Sequence, residues 1–143
     1  MPSDDVKIFS LLFGIGRHMR DEKQRYSVLH FHTLRYVKEK GRPSIHEVAM
    51  FLCVTRPAAT LLVEGLVRDK LVRRSADPKD RRTVRLALTP QGEIFLTRGI
   101  RERVQKLSEL FAALSKQERQ TLIRILQKIS HEAERRQRPS ARG

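Results

Sequence analysis

Tryptophan is absent from this 143-residue chain, and it holds only two tyrosines and one cysteine. A lone thiol, Cys53, excludes an intramolecular disulfide and a cysteine-based zinc cluster, and points to a reducing, cytoplasmic setting. No apolar run approaches the ~20 residues that span a bilayer. Residues 8–16 form the uncharged stretch nearest the start; they follow Asp4 and Asp5 and lead into Arg17, His18 and Arg20, so neither a membrane span nor a cleaved leader is expected. G-x-x-x-x-G-K-[ST], G-x-G-x-x-G and G-x-S-x-G are all missing, and no acid, base and nucleophile stand at a recognisable spacing. Catalysis and a cofactor are therefore not expected. The five histidines (His18, His30, His32, His46 and His131) include no i, i+4 pair, so a metal site is not expected either.

Acidic residues are scarce as well: 16 Asp and Glu face 30 Lys and Arg, a net charge of +14. The excess is spread, with +3 over residues 1–40, +5 over 41–88 and +6 over 89–143, and ends in Arg135, Arg136, Arg138 and Arg142. Such a surface suits a polyanion, because every phosphate contact releases condensed counterions. Charge alone fits solubility or a membrane-surface preference equally well. At 39% hydrophobic residues, the chain has enough apolar material for one compact domain with helical extensions.

That material is arranged mostly at helical spacing. Ile8, Leu11, Leu12, Ile15 and Met19 stripe a first helix over about 5–20, widened by Phe9 and Phe13. Val28, Phe31, Leu34 and Val37 stripe a second, which Gly41 and Pro43 end. Ser44 and Glu47 have the spacing of a capping box for a short third helix, with Val48, Ala49 and Leu52 facing inward. After Cys53 and Val54, Thr55 caps a fourth helix with Pro57 in its first turn and Ala59, Leu62, Val63, Leu66 and Val67 on one face. Two amphipathic helices joined so tightly make a helix-turn-helix. Leu71 and Val72 then open a strand, and Val84, Leu86 and Leu88 alternate with Thr83, Arg85 and Ala87 as a half-buried strand would, across a polar loop over 76–83. Thr89 and Pro90 restart helix as far as about Leu114, and Ser115 with Glu118 caps a last helix carrying Leu122, Ile125, Leu126 and Ile129. The fold expected is mainly α with a small β-hairpin wing, a winged helix-turn-helix flanked by helices.

The run Leu71-Val72-Arg73-Arg74-Ser75-Ala76-Asp77-Pro78-Lys79-Asp80-Arg81-Arg82, followed by residues 84–88 and Thr89-Pro90-Gln91-Gly92, resembles the wing signature of the MarR family of transcriptional regulators and the helix start after it. The likeness is close over about 27–95 and extends elsewhere by helix order. It implies a cytoplasmic, homodimeric regulator, usually a repressor, that binds pseudo-palindromic double-stranded DNA; many members answer to small phenolic or oxidising effectors. Residues 27–89 would form the DNA-binding domain, 1–26 and 90–138 a helical dimerisation region, and 139–143 a disordered basic tail. No membrane association is implied.

On this reading Arg81 and Arg82 sit at the wing tip and enter the minor groove, where the negative potential is strongest. Asp77 and Asp80 pair with an arginine and hold the loop's shape. Phosphates fall to Thr55, Arg56, Arg68, Arg73, Arg74 and Lys79. The helix over 55–69 enters the major groove and turns Pro57, Leu61, Glu64 and Arg68 outward, with Ala58, Thr60 and Gly65 at the margins. The family often has an arginine where this chain has Leu61. Pro57, Ala58 and Leu61 cannot make the bidentate bonds that distinguish guanine or adenine. Three alternatives follow: specificity rests on shape and the wing, the helix reads T-rich edges, or DNA binding has been lost. Phe9, Leu12, Phe13, Leu122, Ile125, Leu126 and Ile129 are candidates for a two-fold interface. Arg17, His18, Tyr26, His30 and Tyr36 are the polar or aromatic residues nearest an effector pocket, and Cys53 is expected to be structural and half-buried. The rival to DNA binding is a winged-helix protein-interaction module, such as an antirepressor or assembly factor, whose apolar face at Pro57, Ala58 and Leu61 meets protein.

Overall fold

The computed structural model describes residues 3–20 and 25–137. Arg138, Arg142 and the tail over 139–143 lie outside the described residues. The elements are α1 (Asp4–Met19), α2 (Val28–Lys40), α3 (Ile45–Leu52), α4 (Arg56–Arg68), β1 (Val72–Ala76), β2 (Val84–Leu88), α5 (Pro90–Phe111) and α6 (Lys116–Gln137). They fall into two compact units, residues 1–103 and 104–143.

In the first unit each helix starts where its sequence supplies a backbone acceptor. Glu47 N–H donates to Ser44 Oγ at 3.2 Å while Glu47 Oε2 accepts from Ser44 N–H at 2.6 Å, a reciprocal box that satisfies two otherwise orphaned donors. At the head of α2 the same return is made by a histidine, with Ser27 N–H donating to His30 Nδ1 at 3.1 Å. Thr89 links two elements: its hydroxyl accepts from Gly92 N–H at 2.9 Å and donates to the carbonyl of Lys70 at 2.6 Å.

The core is built by α2, α3, α4 and the hairpin. Leu34, Val48, Ala59, Val63, Leu66 and Leu86 are completely buried and pack in one cluster with Val37, Leu71, Val72 and Leu96. The α2 stripe is therefore Phe31, Leu34 and Val37; Val28 is exposed, one turn ahead of the buried part of the helix. Strand β2 departs from strict alternation. Ala87 is buried and Val84 exposed, because β2 is covered on both faces towards its C-terminal end and projects beyond the core at its start. Ala76 pairs with Val84 inside the antiparallel hairpin, which shortens the loop to 77–83. Beyond the hairpin, β2 bridges Ser44, and Leu86 N–H donates to the Pro43 carbonyl at 2.9 Å, tying the wing to the entry of α3.

Two glycines of α5 mark where another group lies against its backbone. A Cβ on Gly92 would stand 2.0 Å from the Leu71 carbonyl oxygen, and one on Gly99 1.9 Å from the Phe31 ring. The helix ends at Phe111, a turn's fraction before the expected Leu114. In the second unit, α6 opens with a second reciprocal box, Ser115 N–H to Glu118 Oε2 at 2.7 Å and Glu118 N–H to Ser115 Oγ at 3.1 Å. Among the described residues no single helix is long and apolar enough to cross a membrane; α3 and α4 reach that composition only as a pair bent by 112°.

The glycine contacts give a stability prediction. Gly92→Ala and Gly99→Ala should each lower the unfolding free energy by at least about 1–3 kcal/mol, the usual penalty for overpacking, whereas Gly14→Ala, with nothing within 4 Å of its Cβ, should be neutral or slightly stabilising. Thermal denaturation followed by circular dichroism checks both.

Candidate nucleic-acid interface

Burial fixes which way α4 faces. With Ala59, Val63 and Leu66 sealed inward, successive steps of 100° turn Pro57, Leu61, Glu64 and Arg68 to solvent, and all four are exposed. Leu61 is 70% exposed. Ala58 and Thr60 are half-buried at the margins, as their helical positions predict. Thr55 caps the helix, its hydroxyl accepting from Ala58 N–H at 3.4 Å. The Thr60 hydroxyl donates to the Arg56 carbonyl at 3.0 Å, so its hydrogen is engaged by its own helix.

The wing loop is shaped by two aspartates acting on backbone. Asp77 Oδ1 accepts from Lys79 N–H at 2.8 Å, Asp80 Oδ1 from Arg82 N–H at 3.0 Å, and Asp80 Oδ2 from the Thr83 hydroxyl at 3.3 Å. Asp77 N–H closes the loop on the Thr83 carbonyl at 3.0 Å. These bonds leave Arg81 and Arg82 exposed at the tip, neither engaged by a described carboxylate. Arg73, Arg74 and Lys79 are exposed along the same wing.

The arginine that Asp77 does pair with is one the sequence pattern did not single out. Arg85 Nε donates to Asp77 Oδ2 at 2.9 Å, and Arg85 Nη1 to Glu47 Oε2 at 3.0 Å and the Arg42 carbonyl at 3.4 Å. One planar guanidinium thus ties the wing loop, the start of α3 and the turn before it, a geometry that a lysine ammonium cannot reproduce. Arg42 adds a parallel tie through Ser75 Oγ at 2.7 Å. The only prior sign of this was an arginine inside a strand whose other side chains are apolar. Hydrogen bonds from the Lys79 backbone and from Arg85 hold the Asp77 carboxyl below its ordinary value, and the Ser44 backbone does most to lower Glu47.

An open cleft of about 1040 Å³ lies between α4 and the wing, lined by Pro57, Thr60 and Leu61 on one side and Arg82, Thr83 and Val84 on the other. Of the sequence-derived DNA set, this cleft gathers Arg56, Pro57, Thr60, Leu61 and Arg82; Thr55, Ala58, Glu64, Arg68, Arg73, Arg74, Lys79 and Arg81 lie outside its lining.

Cys53 is exposed rather than half-buried, and it adopts a left-handed conformation at φ 55° as the C-cap of α3. The sharp turn into α4 demands that backbone and carries the side chain outward. Of the residues named near an effector pocket, Tyr26 lines a cavity. That cavity, about 270 Å³, is bounded by Arg25, Tyr26, Phe31, Phe95, Arg98, Gly99 and Glu102. His30 packs edge-on to Tyr26, Tyr36 stacks on Phe51 at 4.3 Å, and Arg17 and His18 lie on α1 away from it. The Tyr26 hydroxyl donates to Asp69 at the end of α4; desolvation, reinforced by Asp69, pushes its pKa up to about 12, so the phenol stays protonated. Among the described residues no three His, Cys, Asp or Glu side chains converge on a metal-sized site.

Comparison with known proteins returns one family model, that of the MarR family, over residues 27–84. The uncharacterized HTH-type transcriptional regulator YsmB of Bacillus subtilis is 30% identical over 106 residues, covering 74% of this chain and 73% of that one. The HTH-type transcriptional repressor MdtR of the same bacterium is 27% identical over 113 residues, 79% of this chain and 73% of its own. Among solved structures, BpsR of Bordetella bronchiseptica, whose DNA binding is regulated by 6-hydroxynicotinic acid, superposes with a TM-score of 0.69 at 24% identity, covering 85% of this chain and 91% of that one.

The Arg85 clamp predicts an acid-sensitive wing. Asp77 and Glu47 have folded-state pKa values below their ordinary 3.8 and 4.5, so the stability they add is fully present above those values and is lost as pH falls through the lower folded ones. In urea titrations between pH 3 and 6, wild type should lose stability towards acid more steeply than Arg85→Ala, which has already lost the shared partner.

Proposed function

The chain belongs to the MarR family of transcriptional regulators, and from that premise we propose that it is a cytoplasmic homodimeric repressor that binds a pseudo-palindromic operator in double-stranded DNA. The observation that carries the reading is the unneutralised pair Arg81 and Arg82 on a wing held rigid from behind. An arginine on a narrow, fixed ribbon suits the minor groove, where it needs no reorganisation to meet the negative potential. Arg56, Arg68, Arg73, Arg74 and Lys79 neutralise phosphates on either side, Thr55 adds a polar contact at the head of α4, and α4 enters the major groove through Pro57, Ala58, Thr60, Leu61 and Glu64. Repression follows when the operator overlaps a promoter, as the repressor name of MdtR suggests by analogy.

Dimerisation supplies the second reader that a two-fold operator needs. Its support is the apolar surface left open in each unit: Phe9, Leu12 and Phe13 on α1, and Ile125, Leu126 and Ile129 on α6, are exposed, with Leu122 half-buried. Residues 1–26 and 90–138 then form the dimerisation region and 27–89 the DNA-binding domain. The effector class is a small aromatic molecule, and its candidate place is the cavity beside Tyr26, lined by Phe31, Phe95, Arg25 and by Arg98 with its ion-pair partner Glu102.

The deciding experiment is a titration of DNA from around the protein's own gene, against scrambled DNA of equal composition, at several salt concentrations. Arg81→Ala/Arg82→Ala should lose at least about ten-fold in affinity for the specific duplex, and its salt slope should flatten by about two, roughly one per lost cation contact. Unchanged binding in the variant would remove the wing from the mechanism. Separately, Leu126→Asp should halve the mass seen in sedimentation and take operator affinity with it.

A further inference from the structure

We propose that α4 reads thymine by its methyl group: Leu61, with Pro57 and the methyl of Thr60, contacts C5-methyls of neighbouring thymines in the major groove, and Glu64 confines an adjoining base to one with an exocyclic amine. The inference rests on the DNA-binding reading above and names the bases it recognises.

The argument is one of donors. Guanine is read by donors aimed at its O6 and N7, and adenine by a group that both gives and accepts. Apart from the exposed Arg56 guanidinium, assigned above to phosphate, the first turn of α4 offers almost none. Pro57 has no N–H, the Ala58 N–H is given to Thr55 Oγ1 at 3.4 Å, the Ala59 N–H to the Thr55 carbonyl at 3.0 Å, and the Thr60 hydroxyl to the Arg56 carbonyl at 3.0 Å. At the middle of the exposed face stands Leu61, 70% exposed. The one apolar feature on a major-groove base edge is the thymine methyl. Glu64, exposed on the same face, accepts only, so it suits the amine of cytosine or adenine and is repelled by the guanine edge.

Charge decides for DNA over a protein occupant. The apolar centre is bordered by exposed Arg56 at the head of the helix, Arg68 at its foot and Arg82 across the cleft. Three cations bordering a small apolar patch, with the nearby Glu47 already paired to Arg85, are complementary to phosphates flanking a groove lined with methyls.

The test begins by selecting duplexes from a random pool with the full-length protein, then resynthesising the winners with deoxyuridine for thymidine. This exchange deletes the methyl and keeps the base pair and the minor groove. Wild type should bind the uracil duplex roughly four-fold more weakly for each methyl contacted, and at least about ten-fold more weakly for a two-fold site. Leu61→Ala, a surface change that leaves the core intact, should bind the thymine duplex more weakly than wild type and keep only the smaller uracil penalty that Pro57 and the Thr60 methyl carry. Glu64→Gln should admit guanine at the position where wild type selects cytosine or adenine. Enrichment of a sequence that wild type binds equally well with uracil would overturn the methyl contact and leave the DNA reading standing. No enrichment, with no duplex bound at low salt, would overturn both.

Discussion

Everything α4 can present depends on one of its faces being sealed. Ala59, Val63 and Leu66 have no accessible surface, and their burial against Leu34, Val48 and Leu86 sets the rotation of the helix about its own axis. A helix offers a different set of side chains with every 100° of rotation, so the core selects the recognition surface without touching it. The exposed positions of Pro57, Leu61, Glu64 and Arg68 follow from that constraint, and so does the cleft that α4 forms with the wing.

The wing is held differently. It has a short two-stranded ladder, too little by itself to hold a rigid ribbon in water. It is tied down further where β2 bridges Ser44 along its other edge, and where Arg85 bonds Asp77, Glu47 and the Arg42 carbonyl together. Each of these ionic contacts is partly solvated and adds little stability alone. Their effect is geometric: they fix the base of the loop and engage Asp77, while the Arg82 N–H and Thr83 hydroxyl occupy Asp80, so that Arg81 and Arg82 at the tip have no described carboxylate partner.

Local signals made most of the architecture legible. Ser44 with Glu47 and Ser115 with Glu118 announced their helices by spacing alone, and Thr55 with Pro57 announced α4, because caps depend on neighbours three residues away. The outward face of α4 was legible for the same reason. What escaped the sequence depended on distant parts of the chain. Ala87 and Val84 broke alternation because β2 is covered unevenly along its length, and Arg85 joined groups far apart in sequence. Cys53 was misplaced because exposure at a tight turn follows from backbone direction, which residue type does not encode.

Helix α4 is entered and left through residues in the left-handed region, Cys53 at φ 55° and Lys70 at φ 60°. Each costs about 1–2 kcal/mol relative to a right-handed backbone, and glycine would remove that strain. Glycine would also enlarge the unfolded ensemble, a smaller effect of opposite sign. The entropic loss, about 0.4–1 kcal/mol, offsets only part of the strain relieved, so glycine at either corner is at worst neutral for stability. Both side chains are exposed, so what these corners demand of a residue is backbone conformation rather than packing, and a small polar residue such as asparagine could take either place while α4 stays where its buried face puts it.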